Sequence, residues 1–221
     1  KIILPQLEWA KGFITQFQRG EKLILAEYLS NHWGYYDSAK ELFTGSNYTL
    51  IEPLFDSKFV SDDVQNSVMT SEQSYGSMDA AFLFEALDRS IAPFDLLQKV
   101  FKYLKSGGLC FITSLLSSGF EVQVLGKTSE IFVPPERMNL LSYEGMNAMI
   151  EKLNGFEILE FSTPSVLDIP NVITQLNDTN NSKFFNYIFT ERQDPELLSS
   201  FQDYLQMNRL GTFARLVLRK Q

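Results

Sequence analysis

The chain has 221 residues, of which 44% are hydrophobic and 21% charged, values that are typical of a globular domain and exclude a disordered or fibrous chain. Its 19 basic and 27 acidic side chains give a net charge of 19 − 27 = −8, and an anionic surface repels the phosphate backbone of nucleic acids. No apolar run reaches the roughly 18 residues that a membrane span needs, and no signal peptide is evident, so we expect no membrane contact and a cytoplasmic location.

The first half of the chain alternates short apolar runs with amphipathic stretches, a pattern typical of helices packed on a parallel sheet. The predicted elements are, in order, a helix over 5–19, a strand over 22–26, a helix over 35–44, a strand over 48–51, a short strand over 58–60 and a serine-rich loop over 64–77. Gly20 and Gly45 follow the two helices, where a left-handed residue ends a helix at low cost. Pro53 cannot donate to a strand ladder, so the second strand ends before it.

The second half continues the alternation. The predicted elements are a strand over 79–84, a loop over 85–90, a helix over 93–105, a strand over 109–113, a long connection over 114–141, a helix over 142–153, a strand over 156–162 and a last strand over 212–218. Ser142 is predicted to cap the helix that follows it, and Gly107-Gly108 to end the helix before the fifth strand. The single cysteine, Cys110, is predicted to be a buried small hydrophobe.

Together these elements predict one α/β domain over 1–221, a three-layer sandwich with a Rossmann-like, seven-stranded, mostly parallel sheet. We expect an N-terminal helix within 1–20 and a late helical insert or lid over 165–211, with a helix at 195–207. Four aromatic residues of the insert are predicted to form its own core, and a lid or a homodimer surface is the alternative; they are Phe184, Phe185, Tyr187 and Phe189.

Acidic residues follow the first three predicted strands. Glu27 follows the first, Glu52 the second, and Asp62 or Asp63 the third. Ligands of open α/β sheets bind outside the carboxyl ends of the strands, and a carboxylate there can accept both hydroxyls of a ribose. We therefore expect these acids to converge on a single crevice that holds a nucleoside.

Five stretches of the chain resemble class I S-adenosylmethionine-dependent methyltransferases. They are Ile51-Glu52-Pro53, the segment 78–89 (MDAAFLFEALDR), the turn 104–109 (LKSGGL) and the tail pieces 206–210 (QMNRL) and 214–217 (ARLV). The similarity covers most of 22–221. It implies a Rossmann-like fold, S-adenosyl-L-methionine as cofactor, and methyl transfer to a small-molecule acceptor.

The resemblance also implies roles for individual residues. Glu27 would fix the ammonium group of the cofactor, Glu52 its ribose, and Asp63 or Asp62 its adenine amino group. The remaining cofactor contacts that it implies are Leu29, Asn31 and Gly34 in the loop after the first strand, Val64 beside the adenine, and Phe84 and Glu85 at the methionine end.

The loop after the first strand departs from the family. It reads Glu27-Tyr28-Leu29-Ser30-Asn31-His32-Trp33-Gly34, so one glycine stands where the family has three. Those glycines let the backbone approach a ligand closely. A methyltransferase-like domain that serves as a binding or structural module is therefore an alternative. A nicotinamide-dependent oxidoreductase is disfavoured, because the G-x-G-x-x-G pattern is absent.

Two further groups are candidates for contact with the acceptor. His32 is the only histidine, and it is either a general base for an acceptor hydroxyl or an ordinary loop side chain. Arg137, Asn139 and Tyr143 lie near the long connection after the fifth strand, where acceptor-binding loops often occur, and ordinary packing is the alternative for them. With one histidine and one cysteine in the chain, a zinc site is not expected.

Overall fold

The computed structural model describes residues 3–18, 20, 22–56, 60–69, 75–175 and 183–221. Within these ranges one mixed sheet has the strand order β3-β2-β1-β4-β5-β7-β6. The strands are β1 Ile24–Tyr28, β2 Asn47–Ile51, β3 Val68–Met69, β4 Met78–Phe84, β5 Leu104–Leu115, β6 Phe156–Ser162 and β7 Phe213–Lys220. The pairings from β3 through β5 are parallel, and β7 runs antiparallel to both of its neighbours.

Helices cover both faces of the sheet. They are α1 Ile3–Phe17, α2 Gly34–Leu42, α3 Asp62–Ser67, α4 Ala86–Arg89, α5 Pro93–Tyr103, α6 Phe120–Leu125, α7 Tyr143–Leu153, α8 Asp168–Gln175, α9 Lys183–Asn186 and α10 Pro195–Met207. A 3-10 turn (Gly126–Thr128) follows α6, and a π-helical turn (Tyr187–Arg192) follows α9. None of the helices in the described ranges combines the length and the apolarity that crossing a membrane would require.

Two hydrophobic cores lie on opposite faces of the sheet because strand side chains alternate between the faces. On one face α1 and α2 pack against Leu25, Phe82 and Phe111. On the other face α5 and α7 pack against residues that include Ala81 and Cys110. Cys110 is fully buried as predicted, and burial raises the pKa of its thiol, so it is a core residue and not a reactive one.

A third core belongs to the late insert. Phe120 of α6 meets Val172 of α8 and Leu205 of α10 around the fully buried Phe189. Phe185 packs beside Phe189 with its ring parallel at 5.6 Å, as the sequence predicts for an insert core. Phe184 and Tyr187, predicted to join this core, are instead 60% and 51% exposed.

Several predicted elements are confirmed, and others differ. The strand over 156–162, the helix over 195–207 and the Ser142 cap are confirmed, with the Ser142 hydroxyl accepting the N–H of Gly145 at 3.0 Å. The strand predicted at 58–60 falls largely outside the described residues, and the third strand of the sheet is Val68–Met69, inside the predicted loop. Gly107-Gly108 lies within β5, since the helix before it ends at Tyr103.

Candidate functional site

The carboxyl ends of β1, β2 and β4 lie side by side at one edge of the sheet, where the order of the strands reverses between β1 and β4. Leu29, Glu52 and Glu85 directly follow these three strands, and all three have left-handed backbones, with φ of 51°, 51° and 54°. This conformation costs a non-glycine residue roughly 1–2 kcal/mol. It persists where the surrounding structure imposes it, and such residues cluster at functional sites.

The loops after β1 and β2 are joined to each other. The N–H of Leu29 donates to the carbonyl of Ile51 at 3.0 Å, and the N–H of Leu54 donates to the carbonyl of Ser30 at 2.8 Å. Trp33 lies edge-to-face with a phenylalanine of the second loop, Phe55, with 6.4 Å between ring centroids. Trp33, in the glycine-poor loop after β1, thus borders this edge.

Glu27 lies inside β1 and not after it, because the strand runs two residues further than predicted. Its carboxylate is 1% exposed and faces the α1–α2 side of the sheet, where the Tyr48 hydroxyl donates to Oε2 at 2.8 Å. The other oxygen, Oε1, has no hydrogen-bond partner. Burial raises the pKa of Glu27 to about 7, although the Tyr48 hydroxyl lowers it in part.

The other two acids have separate partners. The exposed Glu52 carboxylate accepts a hydrogen bond from Lys99 of α5 at 2.7 Å. Asp63, in the first turn of α3, pairs with Lys40 of α2 at 2.8 Å, and Asp62 beside it is exposed. The expected convergence of the acids on one point is therefore wrong, because each carboxylate bonds to a different element.

Two of the residues that the resemblance assigns to the cofactor are buried in a hydrophobic core. Val64 and Phe84 are 1% and 2% exposed in the α1–α2 core, and Phe84 stacks on Tyr35. Leu29 packs partly against the opposite core, whereas Asn31 is exposed. Val64 and Phe84 therefore stabilise the fold, and neither presents a surface to solvent.

His32 has a geometry that disfavours the role of general base. Its Nδ1 accepts the N–H of Gly34 at 2.9 Å, so that in the neutral ring the proton sits on Nε2 and the free lone pair is already used. The ring also stacks on Trp33, with 4.6 Å between centroids. The Gly34 backbone needs this space, since a Cβ there would lie 2.9 Å from the His32 ring.

An ion-pair clamp fixes the tip of β4. Arg89 and Arg137 both donate to the Glu85 carboxylate, at 2.9 and 2.8 Å, and Arg137 also reaches the buried Asp88 at 3.1 Å. Burial raises the pKa of Asp88 to about 6, against the lowering effect of the Ser114 hydroxyl. These ion pairs connect the loop before α7 to the end of β4, so Arg137 stabilises the fold.

The other two predicted acceptor contacts also make internal contacts. Asn139 donates from its side chain to the carbonyl of Ser90 and from its backbone to the carbonyl of Asp88. Tyr143 packs on Phe161 with 4.5 Å between centroids, and Arg209 lies over its ring. Neither residue, nor Arg137, is among those that line the cavity described next.

A cavity of about 390 Å³ opens between the start of α1, the ends of β4 and β5, and the start of β7. We name it the Gln6–Arg215 cavity after two polar residues in its lining. Its apolar wall includes Leu115, Ile131, Val166, Leu167 and Phe213. Sequence reasoning missed both polar residues, although an arginine inside the apolar run of β7 is a signal that could have identified one of them.

Comparison with known proteins gives structural relatives only. No protein-family model matches the chain, and no curated protein matches it in sequence. Among solved structures, the [4+2]-cyclase SpnF is 14% identical, with a TM-score of 0.58 over 97% of this chain and 81% of that one. A putative methyltransferase, solved in complex with the Haloferax volcanii Trm112 methyltransferase activator, is 14% identical, with a TM-score of 0.58 over 98% of this chain and 90% of that one.

A third relative was crystallised with ligands. It is the geranyl diphosphate C-methyltransferase from Streptomyces coelicolor, in complex with Mg²⁺, geranyl diphosphate and S-adenosyl-L-homocysteine. It is 16% identical, with a TM-score of 0.57 over 98% of this chain and 80% of that one. Identities this low show the fold and leave the activity open. The chain therefore has the Rossmann-like fold of class I S-adenosylmethionine-dependent methyltransferases.

Proposed function

We propose that this protein transfers a methyl group from S-adenosylmethionine to a small-molecule acceptor bound in the Gln6–Arg215 cavity. The observation that carries the proposal is the left-handed backbone of Leu29, Glu52 and Glu85 at the ends of β1, β2 and β4. Three strained residues at adjacent strand ends, at the position where this class of sheet binds ligands, are the mark of a ligand crevice.

One residue at this edge fits the cofactor. Glu52 presents an exposed carboxylate at the end of β2, with the two oxygens that a ribose diol requires. Its ion pair with Lys99 lies at the surface, where such pairs contribute about 0–1 kcal/mol, so exchange for ribose hydroxyls costs little.

When bound, S-adenosylmethionine would supply an electrophilic methyl group: a lone pair of the acceptor would form the new bond to carbon while the carbon–sulfur bond breaks and its electron pair stays on sulfur, and any proton on the attacking atom would pass to water. The protein contributes position and shielding. Glu85, held by two arginines, lines the cavity beside the strand ends and so marks where acceptor and cofactor meet. Holding reactants in line lowers the barrier by several kcal/mol.

One observation favours a second candidate, a domain that binds a small molecule without transferring a methyl group. Leu29 and Trp33 carry large side chains in the loop where the family is glycine-rich, and the loops after β1 and β2 are bonded through Leu54 and Ser30. Binding of S-adenosylmethionine separates the two candidates, because only the first requires it.

Calorimetric titration of the full chain with S-adenosylmethionine and S-adenosylhomocysteine tests the proposal. We expect dissociation constants below 1 mM, equivalent to more than about 4 kcal/mol of binding free energy.

Glu52→Gln should weaken binding at least about tenfold, because it replaces a charged acceptor of the ribose hydroxyls by a neutral amide. The matched control, Lys99→Met, breaks the same ion pair but keeps the carboxylate, so its affinity should not fall. No binding at 1 mM supports the second candidate, and unchanged affinity in Glu52→Gln contradicts the ribose role.

A further inference from the structure

We propose that the Gln6–Arg215 cavity takes a ligand with an apolar body and a single carboxylate group, and that Gln6 and Arg215 bind this carboxylate. The inference rests on the proposed function in one respect, since it names this ligand as the class of methyl acceptor. The cavity's volume of about 390 Å³ lies within the range of small-molecule sites, and its walls are largely aliphatic and aromatic.

Gln6 offers the cavity a hydrogen-bond donor that no residue in the described part of the chain uses. The residue is 1% exposed and lies on α1, in the lining of the cavity. The Tyr35 hydroxyl donates to its Oε1 at 2.6 Å, which fixes the orientation of the amide. Its Nε2 is buried and has no partner. Leaving a buried donor unpaired is unfavourable, and a ligand oxygen would satisfy it.

Arg215 offers the second donor group together with a positive charge. It is half-buried on the α1 side of β7, and its guanidinium lies 5.2 Å from the ring centroid of Trp9. Its Nε is buried without a partner, and no carboxylate among the described residues forms an ion pair with it. Burial lowers the pKa of Arg215, although Glu160 opposes this effect, and the group stays cationic at neutral pH.

The acids around the cavity already have partners of their own. Glu85 is bound by two arginines, and Glu121 accepts hydrogen bonds from Ser129 and Asn171. Glu160 accepts from the Trp9 indole N–H at 2.9 Å and from the Ser162 hydroxyl. Arg215 is thus the one basic side chain among the residues that line the cavity, and it forms no ion pair with a described carboxylate.

The charges of the residues that line the cavity favour one class of anionic ligand. One guanidinium without an ion pair and one unpartnered amide N–H in the same cavity lining can donate to the two oxygens of a carboxylate. A phosphate carries up to two negative charges and would face the acids Glu85 and Glu121 with a single cation to balance it. The cavity therefore fits a monoanion better than a phosphate ester.

Titration of the full chain with paired probes, in the absence of S-adenosylmethionine, tests this inference. The probes are 4-phenylbutyrate and octanoate, their alcohols 4-phenylbutanol and 1-octanol, and phenyl phosphate. We expect the carboxylates to bind at least about tenfold more tightly than the alcohols, because only they satisfy both donors. Arg215→Met should abolish this preference. Gln6→Glu should abolish it too, since it keeps an acceptor for Tyr35 but places an oxygen where the free N–H stands.

The matched control is Arg219→Met, which removes another arginine of β7 that stacks on a ring of α1 but does not line the cavity. It should keep the full preference for carboxylates. Equal binding of the alcohols and carboxylates by the unmodified chain overturns the inference, and so does tighter binding of phenyl phosphate. The probe titrations do not involve the cofactor. If the probes show no preference for carboxylates, methyl transfer can still be correct, and if S-adenosylmethionine does not bind, the probe titrations still test the carboxylate site.

Discussion

Arg137→Met is expected to lower the free energy of unfolding by about 3–5 kcal/mol at pH 8. The guanidinium is the partner of two carboxylates, Glu85 and the 1% exposed Asp88. Removing one partner of a buried ion pair leaves an uncompensated charge, which costs this much in general. Urea denaturation at pH 8 measures the loss.

The pH dependence identifies the cause of this loss. Burial already raises the pKa of Asp88 to about 6, and without Arg137 it should rise further, so at pH 5 the carboxyl is protonated and the loss should shrink. Arg192→Met, which breaks the exposed pair with Asp194, is the control and should cost no more than about 1 kcal/mol. An equal loss at both pH values, or a loss for Arg137→Met as small as that of the control, would contradict the role of the clamp.

Relative to the unmodified chain, Glu27→Gln is expected to become more stable by about 2.5 kcal/mol as the pH rises from 5 to 8. Burial raises the pKa of Glu27 from 4.5 to about 7 in the folded state. Between these values the folded state holds a proton that the unfolded state has lost, so the natural chain loses stability as pH rises through this window. Glutamine does not titrate, and it keeps an oxygen for the Tyr48 hydroxyl.

The quantity to measure is the difference between the two proteins in unfolding free energy, at pH 5 and again at pH 8. The absolute effect of an amide at this position cancels between the two conditions, and only the ionisation of Glu27 remains. Glu151→Gln on the exposed side of α7 is the control and should show no such change. A difference that stays constant from pH 5 to pH 8 would mean that Glu27 ionises normally.

Much of the fold could be predicted from local patterns. The apolar periodicity over 156–162 and over 195–207 predicts a strand and a helix without any tertiary information, because each pattern fits only one type of element. Ser142 gave the start of α7 for the same local reason. The third strand was misplaced because Val68–Met69 has only two residues and gains its pairing from β2.

The candidate site was harder to predict because it depends on contacts between distant residues. A shift of two residues in β1 moved Glu27 from the sheet edge into the α1–α2 core. The partners of Glu52 and Arg137 lie 47 and 52 residues away in the chain, and no periodicity indicates them. Gln6 could not be identified from the sequence, because the sequence of an amphipathic helix does not show which of its amides is buried or that the Nε2 of that amide lacks a partner.

Hydrogen exchange with and without saturating S-adenosylmethionine tests the central claim most directly, which is that the ends of β1, β2 and β4 form one ligand crevice. We expect the cofactor to slow amide exchange in three segments that are separate in sequence, 28–34, 52–56 and 84–86. Slowed exchange in all three is the predicted result. Unchanged exchange in these segments, or slowing confined to 164–167 and 213–215, would contradict the claim.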